Sequence, residues 1–304
     1  MKATFKDNDV ICFFGDSITA NGLWVAEAYQ GIRKKCKVKC FNCGVPGASA
    51  ERALLYLHGR CLSFNPDYVV MMFGINDIKY NLYAKELAGD TEAEAQKRSA
   101  ILAYKKAYER LVEETVASGA RVILCIPTPY DDVNSKKEEI LLCREGLDEC
   151  AIFIRALAEK YDCPLVDFMS VMQPILYKRA IISADRIHPT PEGHHVMAQI
   201  FLKEVGMQER ADFDTPFVWE RWNRERYDAE QELTLVNFIE YGVLLKEGYV
   251  EMKSYSERKK IAKERYESYD DKTGFFPRAF DDYIKKIDQY DLYVSEVIRR
   301  TTYV

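Results

Sequence analysis

A serine stands where a short apolar run of the sequence ends. The run, residues 10–14, is followed by Gly15, Asp16 and Ser17, and an amphipathic segment with helical spacing comes next. This order places Ser17 at the carboxyl end of a buried strand, on the turn into a helix, where open α/β sheets bind their ligands. Ser17 can act there as a nucleophile beside the free N–H groups of the helix N-terminus. The alternative is that Asp16 or Ser17 merely caps the helix.

The general base that such a serine needs has few candidates, because the chain has four histidines. His58 lies in a helical pattern away from the expected loops, and the pair at 194–195 lies in the last helix of the alternating pattern. His188 follows Asp185 by three residues on a loop. The Asp185 carboxylate can therefore accept the Nδ1–H of His188 and leave Nε2 to take the Ser17 proton. The alternative is a turn that only caps the following helix.

Two more polar or glycine-rich breaks follow apolar runs. Residues 42–47 read Asn-Cys-Gly-Val-Pro-Gly, and residues 74–77 read Gly-Ile-Asn-Asp. Together with Gly-Asp-Ser at 15–17 and Asp-Arg-Ile-His-Pro at 185–189, they make the chain resemble the SGNH (GDSL-type) hydrolase superfamily over about residues 9–205. The first block of that family ends in leucine where this chain has Ile18, and an apolar side chain beneath the turn is all that the position needs.

The resemblance implies a serine esterase whose catalytic residues are Ser17, Asp185 and His188. It assigns the oxyanion hole to the backbone N–H groups of Ser17 and Gly44 and to the side-chain amide of Asn76. Gly44 allows a close backbone approach because it has no Cβ, and Asn76 supplies a neutral donor.

Two aspartates are expected to support these residues. Asp16 positions the turn that carries the serine, and Asp77 holds its loop through backbone N–H groups. The implied reaction acylates Ser17, releases the alcohol, and then hydrolyses the acyl-enzyme with a water activated by His188. It uses no metal and no other cofactor.

The cysteines offer a competing interpretation. Residues 40–43 form a Cys-x-x-Cys pair and residues 58–61 add a histidine and a cysteine, so four soft ligands stand at a spacing that could bind zinc. The second cysteine of the pair directly precedes Gly44, whose backbone the hydrolase interpretation needs. The pair also lacks a preceding helix N-terminus that would lower a thiol pKa. We therefore predict neither a zinc site nor a redox pair.

Apolar runs alternate with helical patterns through the first two thirds of the chain. Such alternation predicts parallel strands with helices on both faces of the sheet. The order matches a flavodoxin-like three-layer α/β/α sandwich, which is also the fold of the resembled family. The predicted strands are residues 10–14, 37–41, 68–73, 121–126 and 164–166, and the predicted helices are residues 23–35, 48–60, 91–118, 144–161 and 191–205.

The composition changes from about residue 207, where charged and tyrosine residues become dense. Apolar residues recur at helical spacing in 228–246 and 283–294. We predict a hydrolase domain at 1–206 and an α-helical extension at 207–304. The extension could pack on the sandwich, cover the active site or join chains into a homo-oligomer, and its aromatic stripe is interpreted as packing rather than as a carbohydrate platform.

Charge and hydropathy limit the partners. A net charge of −5 gives no basis for nucleic-acid binding. No stretch approaches the ~18 continuous apolar residues of a membrane helix. A polar N-terminus and an odd number of cysteines predict a cytoplasmic protein with reduced thiols. The expected partner is a small-molecule ester substrate.

The four blocks define a reaction and leave the ester open. The resembled family includes short-acyl esterases, thioesterases, lysophospholipases and carbohydrate deacetylases. The sequence has no hydrophobic lid segment that would indicate long lipid substrates. A sugar site could be lined by Trp24, Tyr80, Tyr83 and Tyr130. We therefore favour a short-chain ester such as an O-acetyl group on a carbohydrate. The alternatives are a lysophospholipase or thioesterase on the same residues, or a non-catalytic scaffold with a partner-binding helical tail, against which the intact set of site residues argues.

Overall fold

A five-stranded parallel sheet forms the centre of the protein. The computed structural model describes residues 2–133, 142–231 and 296–297. The strand order is β2-β1-β3-β4-β5 with every neighbouring pair parallel, so the α/β fold predicted from the sequence is confirmed. The strands are β1 (Val10–Gly15), β2 (Lys39–Asn42), β3 (Tyr68–Met72), β4 (Arg121–Ile126) and β5 (Leu165–Asp167).

Helices cover both faces of this sheet. On one face α2 packs against α7, and on the other α4 packs against α3 and α5. Within the described residues, no helix has the length and apolarity that crossing a bilayer requires. The helices are α1 (Ser17–Asn21), α2 (Leu23–Arg33), α3 (Ala50–Ala53), α4 (Thr91–Ala117), α5 (Arg144–Lys160), α6 (Phe168–Leu176) and α7 (Pro191–Glu204).

The central strand β1 shows how the two layers are packed. Cys12 and Phe14 point into the core beneath α4 and α5, whereas Ile11 and Phe13 point into the core beneath α2 and α7. Alternate side chains of a strand face opposite sides of a sheet, so a strand buried on both faces must be apolar throughout. This is why the run at 10–14 carries no polar interruption.

The predicted helix at 48–60 is wrong as a single element. The chain forms α3, a turn, a π-helix at Leu57–Cys61 and a 3₁₀ helix at Leu62–Phe64. Leu57, Gly59 and Cys61 are all buried, a period of two that one regular α-helix does not produce. Gly59 also weakens a regular helix at this point.

The segment after α7 is tied to the edge of the sheet. Residues 221–231 are helical, and we call them the extension helix. The Cys40 N–H donates to Glu230 Oε2 at 3.0 Å, and the Asn42 N–H donates to Gln231 Oε1 at 2.7 Å. Gln231 Nε2 returns a bond to the Cys40 carbonyl at 3.1 Å. Side chains of the extension helix therefore satisfy edge groups of β2 that a sixth strand would otherwise pair with.

The division of the chain into 1–206 and 207–304 stays a prediction. The helical spacing at 283–294, and most of that at 228–246, falls outside the described residues.

Replacing Phe13 by alanine should destabilise the fold. The Phe13 ring lies 5.1 Å from the Trp24 ring and 5.4 Å from the Phe201 ring, with no exposed surface. Removing a buried phenylalanine leaves a cavity and costs about 3–5 kcal/mol. Urea unfolding should show that loss for Phe13→Ala and a change within about 0.5 kcal/mol for Leu102→Ala, because Leu102 is 68% exposed. Equal losses in both variants would contradict this account of the core.

Candidate active site

The ends of three adjacent strands bring three of the four sequence blocks to one edge of the sheet. Phe13 pairs with Asn42 across β1 and β2, and Gly15 pairs with Met72 across β1 and β3. Ser17 follows β1 and Gly44 follows β2, both by two residues, while Asn76 lies a few residues beyond β3. Parallel strands end at the same edge, so their loops converge there.

Ser17, His188 and Asp185 form a continuous chain of hydrogen bonds. Ser17 Oγ lies 2.7 Å from His188 Nε2, and His188 Nδ1 lies 2.7 Å from Asp185 Oδ2. The serine begins α1 and the other two residues precede α7, so the contact joins positions 171 residues apart in the chain. A histidine held in this way can accept a hydroxyl proton through Nε2 while the carboxylate fixes its tautomer.

The Asp185 carboxylate is held by its own loop. Its Oδ1 accepts the backbone N–H groups of Ile187 and His188, both at 2.9 Å, and the Ser183 hydroxyl at 2.7 Å. Partial burial works towards a higher pKa, but these donors and His188 hold the pKa of Asp185 well below its usual range. Asp185 therefore stays ionised throughout the neutral pH range.

Arg186, between the two loop residues, has a structural place that the sequence did not reveal. It is buried, adopts a left-handed backbone with φ 69°, and donates from Nη1 to the Asp131 carbonyl at 2.8 Å. The Asp131 N–H donates in turn to the Arg186 carbonyl at 2.9 Å. These bonds fasten the histidine loop to the segment after β4.

Asp16 caps α1 while Ser17 faces His188, so capping and the serine–histidine contact are served by adjacent residues. Asp16 Oδ1 accepts the Ile18 N–H at 2.9 Å. Burial raises the pKa of Asp16 to about 6, although the Ile18 N–H and the nearby His188 act in the opposite direction. Gly15 leaves the turn room to form, because a Cβ there would lie 2.8 Å from the Met72 carbonyl oxygen.

Gly44 is packed directly against the backbone of α1. A Cβ at this position would lie 2.4 Å from the backbone nitrogen of Ala20, so only glycine fits without movement of the backbone. The Gly44 N–H donates to Asn42 Oδ1 at 3.0 Å, and Asn42 Nδ2 donates to the Thr19 carbonyl at 2.8 Å. The predicted oxyanion donor is therefore at the right strand end, with its N–H engaged by a neighbouring amide.

Asn76 and Asp77 connect the third loop to the second. Asn76 Nδ2 donates to the Ala48 carbonyl at 3.1 Å, which engages one of the two N–H groups that a primary amide carries. Asp77 Oδ1 accepts the Ala50 N–H at 2.7 Å, and its Oδ2 is buried without a partner among the described residues. Burial raises the pKa of Asp77 to about 8, and the charge of Asp16 adds to the increase.

Two of the remaining histidines are paired with glutamates, and the third is buried. His58 Nε2 lies 2.9 Å from Glu114 Oε2, and His195 Nδ1 lies 2.8 Å from Glu27 Oε1. Burial lowers the pKa of His194 to about 4. Among the four, His188 alone has the serine and aspartate contacts described above.

The four soft ligands considered at the sequence level do not come together. Cys40 faces the core beneath α2, and His58 is paired with Glu114. Cys43 and Cys61 meet Cys12 instead, with the three sulfur atoms within 4.8 Å of one another and fully buried. The zinc alternative that was considered from the sequence therefore has no four-ligand set among these described residues.

Three of the four aromatic residues expected beside a sugar are buried, Tyr130 at 6% exposure and the other two more deeply. Trp24 is 1% exposed and contacts the rings of Phe13 and Phe168, and Tyr83 is 4% exposed. They cannot form an open face for a ligand, so this part of the sequence-based interpretation is wrong. Apolar packing accounts for Trp24 and Tyr83.

Comparison with known proteins identifies the family. The sequence model described as GDSL-like Lipase/Acylhydrolase matches residues 11–201. The chain belongs to the GDSL-like lipase/acylhydrolase family. It is accordingly a carboxylic ester hydrolase, as its sequence blocks predicted.

Individual relatives agree with this assignment. An acetylxylan esterase from Geobacillus stearothermophilus is 24% identical over 221 residues, covering 65% of this chain and 94% of its own. Its crystal structure matches with a TM-score of 0.55, 23% identity, and coverage of 71% of this chain and 98% of that one. Solved variants of that esterase, described as catalytic mutants, replace a serine and an aspartate by alanine.

One structural match spans nearly the whole sequence. A gut microbial diltiazem-metabolizing enzyme aligns with a TM-score of 0.68 at 16% identity, covering 98% of this chain and 96% of that one. At this identity the likeness concerns the fold alone. It extends beyond the residues matched by the family model.

The buried Asp77 carboxyl should make stability depend on pH. The pKa of this group is near 3.9 in an unfolded chain, and burial raises it to about 8 in the folded protein. Between these values the folded protein keeps a proton that the unfolded chain releases, so this group's contribution to stability falls as pH rises from about 4 to about 8. Asp77→Asn carries no such proton and can still accept the Ala50 N–H.

Urea unfolding at pH 5, 6.5 and 8 measures this effect. The stability of Asp77→Asn relative to the unsubstituted protein should increase steadily with pH. Asp67→Asn is the matched control, because Asp67 is an exposed aspartate that accepts the Val10 N–H at 2.8 Å. A difference for Asp77→Asn that stays constant over the three pH values would show that its carboxyl does not titrate in this range.

Proposed function

We propose that this protein is a serine esterase that removes short acyl groups, in particular O-acetyl groups from carbohydrates, through an acyl-enzyme on Ser17. The observation that carries the proposal is the chain of two 2.7 Å hydrogen bonds from Ser17 through His188 to Asp185. The catalytic mutants of the acetylxylan esterase, which lack a serine and an aspartate, support these roles. The family assignment supports the reaction class.

The first half of the proposed reaction acylates the serine. Ser17 Oγ attacks the ester carbonyl carbon as its proton passes to His188 Nε2, and the Asp185 carboxylate stabilises the imidazolium that forms. His188 then gives the proton to the departing alkoxide, and the C–O bond to the alcohol breaks.

The second half hydrolyses the acyl-enzyme. A water molecule gives a proton to His188 Nε2 and attacks the acyl carbon, and the proton returns to Ser17 Oγ as the carboxylic acid leaves. We assign no metal or other cofactor to either half.

Negative charge on the carbonyl oxygen needs donors in both tetrahedral intermediates. We propose the backbone N–H groups of Ser17 and Gly44 and the side-chain amide of Asn76. The Gly44 N–H, which donates to Asn42 Oδ1 at 3.0 Å, must then share or exchange that acceptor for the oxyanion. Asp16 and Asp77 act at a distance from the reacting atoms by holding the turn after β1 and the loop after β3.

The similarity to an acetylxylan esterase favours a carbohydrate acetyl ester as the substrate. The acetylxylan esterase covers 65% of this chain, a span comparable with the family match.

A cytoplasmic location is also proposed, because all nine cysteines are free thiols, which suits a reducing compartment. Homo-oligomerisation through the C-terminal helices and the absence of nucleic-acid partners stay predictions from the sequence.

Hydrolysis of p-nitrophenyl acetate, butyrate and octanoate, together with acetylated xylooligosaccharides, tests the function. The unsubstituted protein should prefer the acetate ester and should deacetylate the oligosaccharides. Ser17→Ala should lower kcat by about 10³-fold or more, because the nucleophile is lost. Ser118→Ala, at an exposed position of the α4 C-cap, is the control and should retain full activity.

The outcomes separate the alternatives. Preference for octanoate would favour a lysophospholipase or thioesterase on the same residues. Retention of activity in Ser17→Ala would exclude the acyl-enzyme that we propose. A folded protein without activity on any ester would favour the scaffold alternative.

Asp185→Asn tests the role of the carboxylate. The substitution keeps an oxygen for the N–H donors of the loop but removes the charge that orients and stabilises the histidine. A loss in kcat of up to about 10⁴-fold is expected, with a much smaller change in KM. Asp212→Asn is the matched control, since Asp212 also accepts two backbone N–H groups, at 3.0 and 3.1 Å, on an exposed turn. Comparable kcat values for the two variants would remove Asp185 from the mechanism.

A further inference from the structure

A cavity of about 560 Å³ opens between the sheet edge and the extension helix. We call it the extension cavity. Its inner wall is formed by the turn from α1 to α2 and by Asn42 at the end of β2, and its outer wall by Phe217, Trp219 and the extension helix. Its volume falls within the range of about 300–1,000 Å³ that is usual for small-molecule sites.

Aromatic rings form the apolar part of the outer wall. The Phe217 and Trp219 rings lie 5.2 Å apart, and the Trp219 ring meets the Tyr227 ring edge-on at 5.8 Å. Trp219 also packs on the core beneath α2, and Phe217 remains 36% exposed. The cluster therefore combines a fixed base with an accessible aromatic surface, so the aromatic residues of this region both pack and line a cavity.

Polar side chains share the lining with these rings. The Asn21 amide is exposed, and Arg224 and Asp228, which form an ion pair at 3.7 Å, add a guanidinium and a carboxylate. The amides of Asn42 and Gln231 also line the cavity but are already bonded to the chain. A long alkyl chain placed there would remove the Asn21 amide and the two charged groups from water, which costs free energy. A sugar ring suits the mixture, because it has a C–H face for the aromatic rings and hydroxyl groups for the Asn21 amide and the charges.

The cavity adjoins the candidate active site. Asn21 lies one helical turn after Ser17 on α1, and both Ala20, against which Gly44 packs, and Asn42, which accepts the Gly44 N–H, line the cavity. A molecule extending from an ester bound at Ser17 could therefore reach this space along α1 and the Gly44 loop.

We propose that the extension cavity is a binding subsite for the carbohydrate part of the ester, with Phe217 and Trp219 as its aromatic platform. This assignment rests on the proposed carbohydrate esterase function and adds that Phe217, Trp219 and the extension helix determine which alcohol moiety is accepted. The substrate is then an acylated oligosaccharide whose neighbouring sugar units bind beyond the reacting ester.

Selectivity between two substrates tests the subsite. The quantity to measure is the ratio of kcat/KM for an acetylated xylooligosaccharide to kcat/KM for p-nitrophenyl acetate, which has no sugar units. Phe217→Ala and Trp219→Ala should each lower this ratio about tenfold, equivalent to ~1.4 kcal/mol, through a higher KM for the oligosaccharide. Phe217→Tyr keeps an aromatic face and should restore the ratio. Because Phe217 is partly exposed, Phe217→Ala is expected to fold, so the test does not depend on the Trp219 variant remaining folded.

Trp222→Ala is the matched control. Trp222 is the next tryptophan along the chain, and its ring lies under Arg33 at 5.4 Å rather than in the cavity lining. Its ratio should equal that of the unsubstituted protein. Unchanged ratios in the Phe217 and Trp219 variants, with the oligosaccharide still deacetylated, would overturn the subsite and leave the proposed function in place. Failure of the unsubstituted protein to deacetylate any acetylated oligosaccharide would instead overturn both.

Discussion

The parallel hydrogen-bond ladder that joins β1 to β2 and β3 is the constraint on which the candidate site depends. It continues past the end of β2, where the Cys43 N–H donates to the Phe13 carbonyl at 2.7 Å and the Val45 N–H to the Gly15 carbonyl at 2.9 Å. Gly44 is thereby anchored on both sides, and its lack of a Cβ lets α1 lie directly on it. The serine and the glycine are thus placed relative to each other by backbone contacts, which do not depend on flexible side chains.

The site also contains groups that burial disfavours in their charged form. Burial raises the pKa of Asp16 to about 6 and of Asp77 to about 8, whereas loop donors lower the pKa of Asp185 despite its partial burial. Burial, with a smaller contribution from the nearby His188, lowers the pKa of His194 to about 4. Groups with raised pKa values and groups with lowered pKa values therefore lie near one serine–histidine contact, which is typical of functional sites. Burying these groups costs free energy of folding, which the apolar core must offset.

The sequence predicted those features that a local pattern of residues determines, namely the strands and the loops that follow them. Apolar runs that end in Gly-Asp-Ser or Gly-Ile-Asn-Asp located strands and site loops, because a strand buried on both faces cannot contain polar residues and its end can. The sequence-based predictions were wrong where tertiary contacts determine the structure: the single helix expected at 48–60 is divided, and Trp24 belongs to the core. The burial of Arg186 against Asp131 had no signal in the sequence. The Asn42–Gly44 bond was equally hidden, since an amide two residues from a glycine has many possible partners.

The extension shows why a boundary in composition need not be a boundary in structure. The family match ends at residue 201, yet Glu230 and Gln231 satisfy backbone groups of β2 at Cys40 and Asn42. Glu230 is fully buried beside Arg226, whose Nε lies 2.8 Å from Glu230 Oε1. The Arg226 guanidinium and the Cys40 N–H together offset the cost of removing the Glu230 carboxylate from water. Without the extension helix the N–H groups of Cys40 and Asn42 would lose these acceptors, and Asn42 is the residue that holds Gly44. The extension therefore supports the same strand end that carries the predicted oxyanion donor. A substrate that contacts the extension helix would influence the position of the Gly44 N–H through Asn42.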